Sequence, residues 1–332
     1  MNDFSQRILD WYAENARDLP WRRTQDPYAV WLSEIILQQT RIAQGTAYWQ
    51  RFMERFPTVQ DLAEASEDEV LRLWEGLGYY SRARNLHAAA RQIVARGAFP
   101  DTLEGIRSLK GVGDYTAAAI GSICFGIPAA VVDGNVYRVL ARHFGISTPV
   151  GTTEAKKEFT LLADKLLPEK EASAFNQGMM DFGALQCTPQ HPDCLSCPLQ
   201  TSCDAFRTGR THLLPLKKTA AKPREQRISY VYVRLDGETA IRRRGPGDIW
   251  QGLYEPLVPD PERLREASPV LLKAGVKHQL THRTILADFY LWEPSSRPEL
   301  PEGYKWIKEA ELDNYAKPRL FELLLETIQA FP

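Results

Sequence analysis

No stretch of this sequence approaches the ~18 consecutive apolar residues of a membrane span, which excludes a helical membrane protein. The opening residues, Met1-Asn2-Asp3-Phe4-Ser5-Gln6-Arg7, lack the positive charge and apolar core of a signal peptide. A cytoplasmic location is therefore expected. Positive charge is not in excess either: 41 Lys and Arg face 42 Asp and Glu, a formal net charge of −1. This excludes a globally basic nucleic-acid binder, so any grip on DNA must be focal and draw on backbone amides. Cysteine is scarce, at five in the chain, yet four of the five fall between positions 187 and 203. The rest is ordinary. With 44% hydrophobic and 25% charged residues the composition is that of a soluble globular protein, and 332 residues suggest two domains.

Among what is present, the most informative stretch runs from Leu109 to Leu140. It begins Leu109-Lys110-Gly111-Val112-Gly113-Asp114-Tyr115-Thr116 and continues into Ala117-Ala118-Ala119-Ile120. Gly111 and Gly113 permit a tight turn between two helices and close approach of another chain. The Ala-rich run is a strong helix former, so its first N–H groups leave the turn unpaired, and with the helix dipole they suit a phosphate. A helix-hairpin-helix is expected over about 106–121. Asp133 follows, just before Gly134-Asn135 at a helix start. As an N-cap it is worth ~1 kcal/mol; the sharper reading is a carboxylate held beside a DNA backbone for chemistry.

Residues 4–15 carry Phe4, Ile8, Trp11 and Tyr12 on one face of an amphipathic helix. The turn after it ends Trp21-Arg22-Arg23, and Asp26-Pro27 opens the next helix. That helix holds Glu34, whose neighbours at helical spacing are Val30, Trp31, Leu37, Gln38 and Arg41. Three apolar neighbours favour a desolvated carboxyl with a raised pKa, as a general acid requires. On this segment alone, a partly exposed Glu34 paired with Arg41 is the better account. Further helices are expected over 43–56, 81–95, 113–126, 135–144, 153–166 and 171–185, and Ser66-x-x-Glu69 is a capping box. Gly78-Tyr79-Tyr80-Ser81-Arg82 reads as a turn presenting aromatics beside Arg82 and Arg84, a combination that suits wedging against bases. Ordinary packing is the commoner role for such tyrosines.

The clustered cysteines read Cys187-x6-Cys194-x2-Cys197-x5-Cys203. Without a secretion signal, four thiols this close argue for metal over disulfides. Zinc sites usually pair two short Cys-x-x-Cys knuckles, and here there is one; a set of four cysteines also holds cubane iron–sulfur clusters. Cys124 stands alone in an apolar helix and reads as core.

Residues 207–227, with Lys217, Lys218, Lys222, Arg224 and Arg227 around Pro223, read as a linker, either a solvated tether or a segment lying along phosphates. From Ile228 the apolar period changes to two. Ile228–Leu235 and Glu238–Arg244 flank Asp236-Gly237, a hairpin signal. Residues 276–292 read as one or two more strands, and a last helix is expected from about Lys317 to Ala330.

The hairpin with Asp133, the Glu34 helix and the cysteine spacing together resemble the helix-hairpin-helix DNA glycosylases, the superfamily of endonuclease III and the adenine DNA glycosylases. The resemblance covers nearly the whole chain. It implies an all-α catalytic domain over 1–206 with an iron–sulfur loop at 187–203, a linker at 207–227, and an α+β Nudix-like domain over 228–332. Trp250-Gln251-Gly252-Leu253-Tyr254-Glu255-Pro256 is similar to the start of a Nudix domain. The acidic metal box does not follow it, so a binding module without pyrophosphatase activity is expected.

Within the superfamily, bifunctional members carry a lysine two residues after the second hairpin glycine. Here that residue is Tyr115, which cannot form a Schiff base. The run Ser33-Glu34 to Leu37-Gln38-Gln39-Thr40 looks like the adenine-specific branch, and the thymine-mismatch branch generally lacks a Nudix-like domain. His278-Gln279-Leu280-Thr281-His282 resembles the His-x-Phe-Ser-His loop that senses 8-oxoguanine, with Leu280 and Thr281 departing from the commoner Phe and Ser.

The resemblance implies hydrolytic excision of adenine opposite 8-oxoguanine or guanine. Glu34 is then the acid and Asp133 the ionised stabiliser, with Tyr115 and Asn135 ordering the site and Trp21 and Arg22 lining the adenine pocket. Gly111 and Gly113 would hold a phosphate. Gln39, Tyr79, Arg82, His278, Thr281 and His282 would contact DNA and lesion. Cys187, Cys194, Cys197 and Cys203 would bind a [4Fe–4S] cluster. The expected partner is mispaired double-stranded DNA, bound by a monomer that associates with the nucleoid if bacterial. The alternatives are a thymine-mismatch glycosylase or an idle damage-binding protein on the same fold.

Overall fold

The computed structural model describes residues 2–219 and 223–331. In chain order its helices are α1 (Asp3–Asn15), α2 (Pro27–Leu37), α3 (Ile42–Arg55), α4 (Val59–Glu64), α5 (Glu67–Trp74), α6 (Ser81–Arg96), α7 (Leu103–Arg107), α8 (Asp114–Phe125), α9 (Gly134–Phe144), α10 (Thr153–Leu166), α11 (Ala172–Leu185), α12 (Asp204–Arg207), α13 (Pro261–Ala267) and α14 (Arg319–Gln329). The strands are β1 (Arg224–Val233), β2 (Glu238–Arg243), β3 (Tyr254–Glu255), β4 (Val270–Gln279), β5 (Arg283–Trp292) and β6 (Tyr304–Lys308). None of the described helices is long and apolar enough to cross a membrane.

The chain divides into two compact units, Met1–Ala63 with Ala88–Thr219, and Glu64–His87 with Ala220–Pro332. The sequence reads 1–206 as one helical domain; the structure groups α5 and the first half of α6, to His87, with the C-terminal sheets instead. Periodicity identifies these helices but carries no information about which neighbour their apolar faces meet.

Local signals set most helix ends of the first unit. Asp26 caps α2 by accepting from the Tyr28 N–H at 3.0 Å, with Pro27 at the first position where no N–H is needed. Asp133 caps α9, accepting from the Val136 N–H at 2.8 Å. One core packs α1, α9, α10 and α11 around Phe4, Ile8, Leu140, Phe159 and Phe182, with Cys187, Cys197 and Cys203 at its margin. α11 presses closely on α9. A Cβ added at Gly183 would lie 2.6 Å from the Asn135 Cβ, so only glycine admits this approach.

Much of the expected linker belongs to the first unit. Leu214 is buried, its carbonyl accepts from Arg142 Nε at 3.0 Å, and the Val150 N–H donates to the Leu216 carbonyl at 2.8 Å. Lys222 lies outside the described residues, and β1 starts at Arg224, earlier than the apolar alternation indicates.

In the second unit, Asp236 and Gly237 both have positive φ (51° and 76°), the turn their sequence predicts. The strands they join nevertheless splay apart. β1 joins the sheet β1-β5-β4 and β2 joins β3-β2-β6, leaving a single Leu235–Glu238 bridge in place of the expected hairpin ladder. Tyr230–Val233 are all buried, so the end of β1 is core on both faces, and it runs parallel to β5 from Arg224 opposite Arg283 to Val233 opposite Trp292. β4 and β5 form an antiparallel pair, with Leu280, Thr281 and His282 in its connecting loop. α13 is short and buries no residue.

Candidate active site

One cavity of about 580 Å³ in the first unit collects residues that the sequence scatters from Trp21 to Asn135. Trp21 and Arg22 come from the 3-10 turn Pro20–Arg22, Glu34 from α2, Gln38 and Gln39 from its end, Tyr115 from the first turn of α8, and Asp133 and Asn135 from the start of α9.

Glu34 does not pair with Arg41. Its partner is the Tyr115 hydroxyl, and Asp133 and Arg22 act on it electrostatically. Burial raises its pKa to about 7; the Tyr115 hydrogen bond and the Arg22 charge pull the other way, and the Asp133 charge adds to the rise. A carboxyl in that range carries its proton near neutral pH. The tertiary neighbours therefore replace the Arg41 pairing expected from the α2 segment alone, while Glu34 stays partly exposed. Tyr115 is itself pushed well above the usual phenol range, by burial first and then by the two carboxylates; its hydroxyl also lies 3.6 Å from the Met180 sulfur.

Asp133 is a helix cap and a cavity residue at once. Burial raises its pKa, opposed by hydrogen bonds from the Val136 N–H and from Asn135, whose Nδ2 stands 2.7 Å from Oδ2. Asn135 is held in turn: its Oδ1 accepts from Arg138 Nη2 at 2.8 Å, and Arg138 Nε donates to the Cys187 carbonyl at 2.7 Å. Asp133 is thus joined to the cysteine loop by a continuous run of hydrogen bonds.

The hairpin lies between α7 and α8. Gly111 has φ of 78°, and Gly113 caps α8 with no side chain to satisfy its first N–H groups. Nothing stands within 4 Å of a Cβ added at Gly113, so internal packing does not require glycine there. The space is open to an incoming group.

Cys187, Cys194, Cys197 and Cys203 are all free thiols, half-buried, and each of the last three senses the charge of others in the set. Burial pushes the Cys197 thiol up to about 11. Arg142 Nη1 lies 3.4 Å from the Cys187 sulfur. Among the described residues no three His, Cys, Asp or Glu side chains close round a point as ligands of a single metal ion. Cys124 lies apart in α8, its thiol pushed up to about 12 by burial.

The second unit has its own cavity of about 880 Å³, lined by Tyr79, Trp250, His278, Thr281, His282 and Arg319 among others. Tyr79 has a positive φ of 47°, is half-exposed, and its hydroxyl lies 2.7 Å from Thr281 Oγ1. His278 packs against Trp250 with ring centroids 5.9 Å apart. Arg82 behaves differently from its expected role. It is buried, with its guanidinium 5.0 Å over the Trp74 ring and Nη2 donating to the Leu77 and Gly78 carbonyls, because the turn at 76–80 leaves carbonyls pointing inward. It braces the Tyr79 turn from behind.

Sequence reasoning missed Arg17, Gln177, Met180 and Asp181. The first three line the cavity of the first unit, and Asp181 stands behind Arg17 and Arg22. An acid in the apolar helix Ala172–Leu185, together with an arginine-rich turn elsewhere, was the available signal.

Residues 32–165 match the family described as HhH-GPD superfamily base excision DNA repair protein, and residues 229–327 match the NUDIX domain family. The chain resembles a solved thermostable thymine-DNA glycosylase at 32% identity and a TM-score of 0.58, over 62% of this chain and 95% of that one. It resembles endonuclease III in a non-covalent DNA complex at 25% identity and a TM-score of 0.53, over 62% and 94%. Adenine DNA glycosylase from Buchnera aphidicola (subsp. Acyrthosiphon pisum) is 37% identical over 255 residues, covering 76% of this chain and 73% of the relative. On that identity and coverage the chain belongs to the adenine DNA glycosylase family.

Proposed function

We propose that this protein removes adenine mispaired with 8-oxoguanine or guanine in duplex DNA by hydrolysing its N-glycosidic bond, without lyase chemistry. The observation that carries this reading is the meeting of Glu34, Tyr115 and Asp133 in one cavity, with Glu34 held near neutrality. A base is flipped into that cavity at an unstacking cost of a few kcal/mol. Glu34 donates its proton to the adenine ring and makes the base a better leaving group. Asp133, whose ionised form receives the Val136 N–H and the Asn135 amide, stabilises the positive charge that develops on the sugar. Tyr115 offers no amine, so water adds to the sugar carbon as a hydroxyl and its second proton passes to the Glu34 carboxylate left by the first step. Asn135 orients Asp133, and Trp21 and Arg22 line the base pocket.

The open space at Gly113 and the free amides of α8 suit a DNA phosphate, and the likeness to an endonuclease III–DNA complex supports duplex DNA as the partner. Tyr79, Thr281, His278 and His282 form the lesion-sensing set, with Gln39, also at positive φ (60°), inserting near the mispair. Leu280 supplies less stacking surface than the commoner Phe. Cys187, Cys194, Cys197 and Cys203 would hold a [4Fe–4S] cluster. The all-thiol, disulfide-free donor set fits it, and Arg142 offsets the negative charge of thiolates. Bound, the cluster ties the 187–203 loop together as a structural element. The protein acts as a monomer in the cytoplasm, associated with the nucleoid if its host is bacterial.

Likeness to a thymine-DNA glycosylase favours a second reading, excision of thymine from mismatches. The NUDIX match and the Gln38-Gln39-Thr40 run favour adenine. Duplexes carrying A opposite 8-oxoguanine, A opposite G and T opposite G decide between them: release of adenine alone is expected, and release of thymine as the faster reaction would overturn the proposal.

A further inference from the structure

Asp181 on α11 is fully buried and is the shared acceptor of two arginines from the turn after α1. Its Oδ2 accepts from the Arg17 N–H at 3.1 Å and from Arg22 Nη1 at 2.6 Å. Its Oδ1 accepts from Arg17 Nε at 2.8 Å, from Arg22 Nη2 at 2.8 Å, and from Arg17 Nη2. Burial acts to raise the Asp181 pKa, but the hydrogen bonds from Arg22 and Arg17 outweigh it and hold the group below the usual carboxylate range. It is therefore ionised throughout the working pH range.

Arg17 and Arg22 both line the cavity that holds Glu34. The groups acting on Glu34 are Tyr115 from α8, Asp133 from the start of α9, and Arg22 from the turn; Arg22 is the cation among them. Behind Arg22 stand Asp181, Arg17 and the Tyr12 ring of α1, 5.9 Å from the guanidinium. Two guanidinium groups and one carboxylate leave this wall with one net positive charge. An unneutralised Arg22 would attract the Glu34 carboxylate and draw off its proton.

We propose that Asp181 is a positioning residue for excision: by taking both terminal nitrogens of Arg22, it offsets part of that charge at Glu34, so that Glu34 retains the proton it donates. A bidentate pair also fixes the plane of the guanidinium, which a lysine at 22 would not reproduce. This inference rests on Glu34 being the acid.

The test is the pH profile of single-turnover adenine excision. The rate falls on the basic side as Glu34 loses its proton. Asp181→Asn should move that basic limb to lower pH by about one unit or more, the size of shift an added neighbouring cation produces. Asp181→Asn/Arg22→Gln restores the net charge of the wall, and its limb should return to the wild-type position even if its maximal rate is low. Asp181→Glu should keep the wild-type limb. A limb that stays in place in Asp181→Asn while the rate drops equally at every pH overturns the proposal and leaves Asp181 a structural residue. Where Asp181→Asn does not fold, Arg22→Gln alone carries the test: its limb should move to higher pH, and an unmoved limb overturns the proposal. Normal adenine release by Glu34→Gln would instead sink the underlying reading of Glu34.

Discussion

The hydroxyls of Tyr79 and Thr281, 202 positions apart in sequence, meet at 2.7 Å. One comes from the turn before α6 and the other from the β4–β5 loop, and both border the same cavity. If the two hydroxyls sense the lesion as a unit, Thr281→Ala should narrow the preference for adenine opposite 8-oxoguanine over guanine by roughly five- to tenfold, the worth of one hydrogen bond. Tyr79→Phe should act in the same direction. The double variant should then lose less than the product of the two effects. Ratios of single-turnover rates on the two duplexes measure this, and strictly multiplicative losses would show that the contact plays no part.

Glu34→Gln should abolish excision and yet stabilise the fold. In the folded protein Glu34 ionises at about 7, against 4.5 for an unperturbed carboxyl. Between those values the unfolded chain binds fewer protons than the folded one, so this group makes stability fall as pH rises from about 4.5 to 7, and no further above that. The glutamine variant escapes the loss. At pH 8 it should be more stable than wild type by on the order of 2–3 kcal/mol, with little gain at pH 4. Urea melts at the two pH values check the sign.

Borohydride should trap little or no covalent adduct with DNA, because Tyr115 replaces the amine that a lyase uses. Tyr115→Lys should make trapping measurable while slowing adenine release, since the hydroxyl bonded to Glu34 is lost. Strong trapping by the unaltered protein would contradict the monofunctional assignment.

Purified protein should be brown, with roughly four irons per chain if the four thiolates share one cubane. Cys197→Ser should lower the iron content and the melting temperature together, because Cys197 sits against the α9–α11 core. The Arg138 link gives a second readout: loosening the Cys187 carbonyl should slow excision more than it weakens mismatch binding. A colourless protein with one zinc would refute the cluster.

A chain ending at Thr219 should still excise adenine but show reduced preference for 8-oxoguanine, having lost His278, Thr281 and His282. Ending it at Arg210 should cost several kcal/mol more, because Leu214 is buried and its carbonyl holds Arg142. Melting curves and excision rates of the two truncations distinguish a docked segment from a free linker.

Helix spans, caps and turn types were legible from the chain alone because they depend on neighbours three or four positions away. Asp26-Pro27, Ser66-x-x-Glu69, Asp133 and Asp236-Gly237 each perform the local role their residue types dictate. The cysteine spacing and the hairpin glycines were equally plain, since both are short-range chemistry. What the sequence could not supply was pairing over distance. β1 abandons the strand beyond its own turn for a parallel partner, and α5 groups with sheets that begin after residue 220, because buried area on both faces outweighs proximity along the chain. The state of Glu34 belongs to the same class. Helical spacing in the sequence offers Arg41, which would keep it ionised, but α2 ends at Leu37; Tyr115, Asp133 and Arg22 arrive from three other elements, and Asp181 from a fourth stands behind Arg22. Burial at their meeting point, which no single segment encodes, lets it keep its proton.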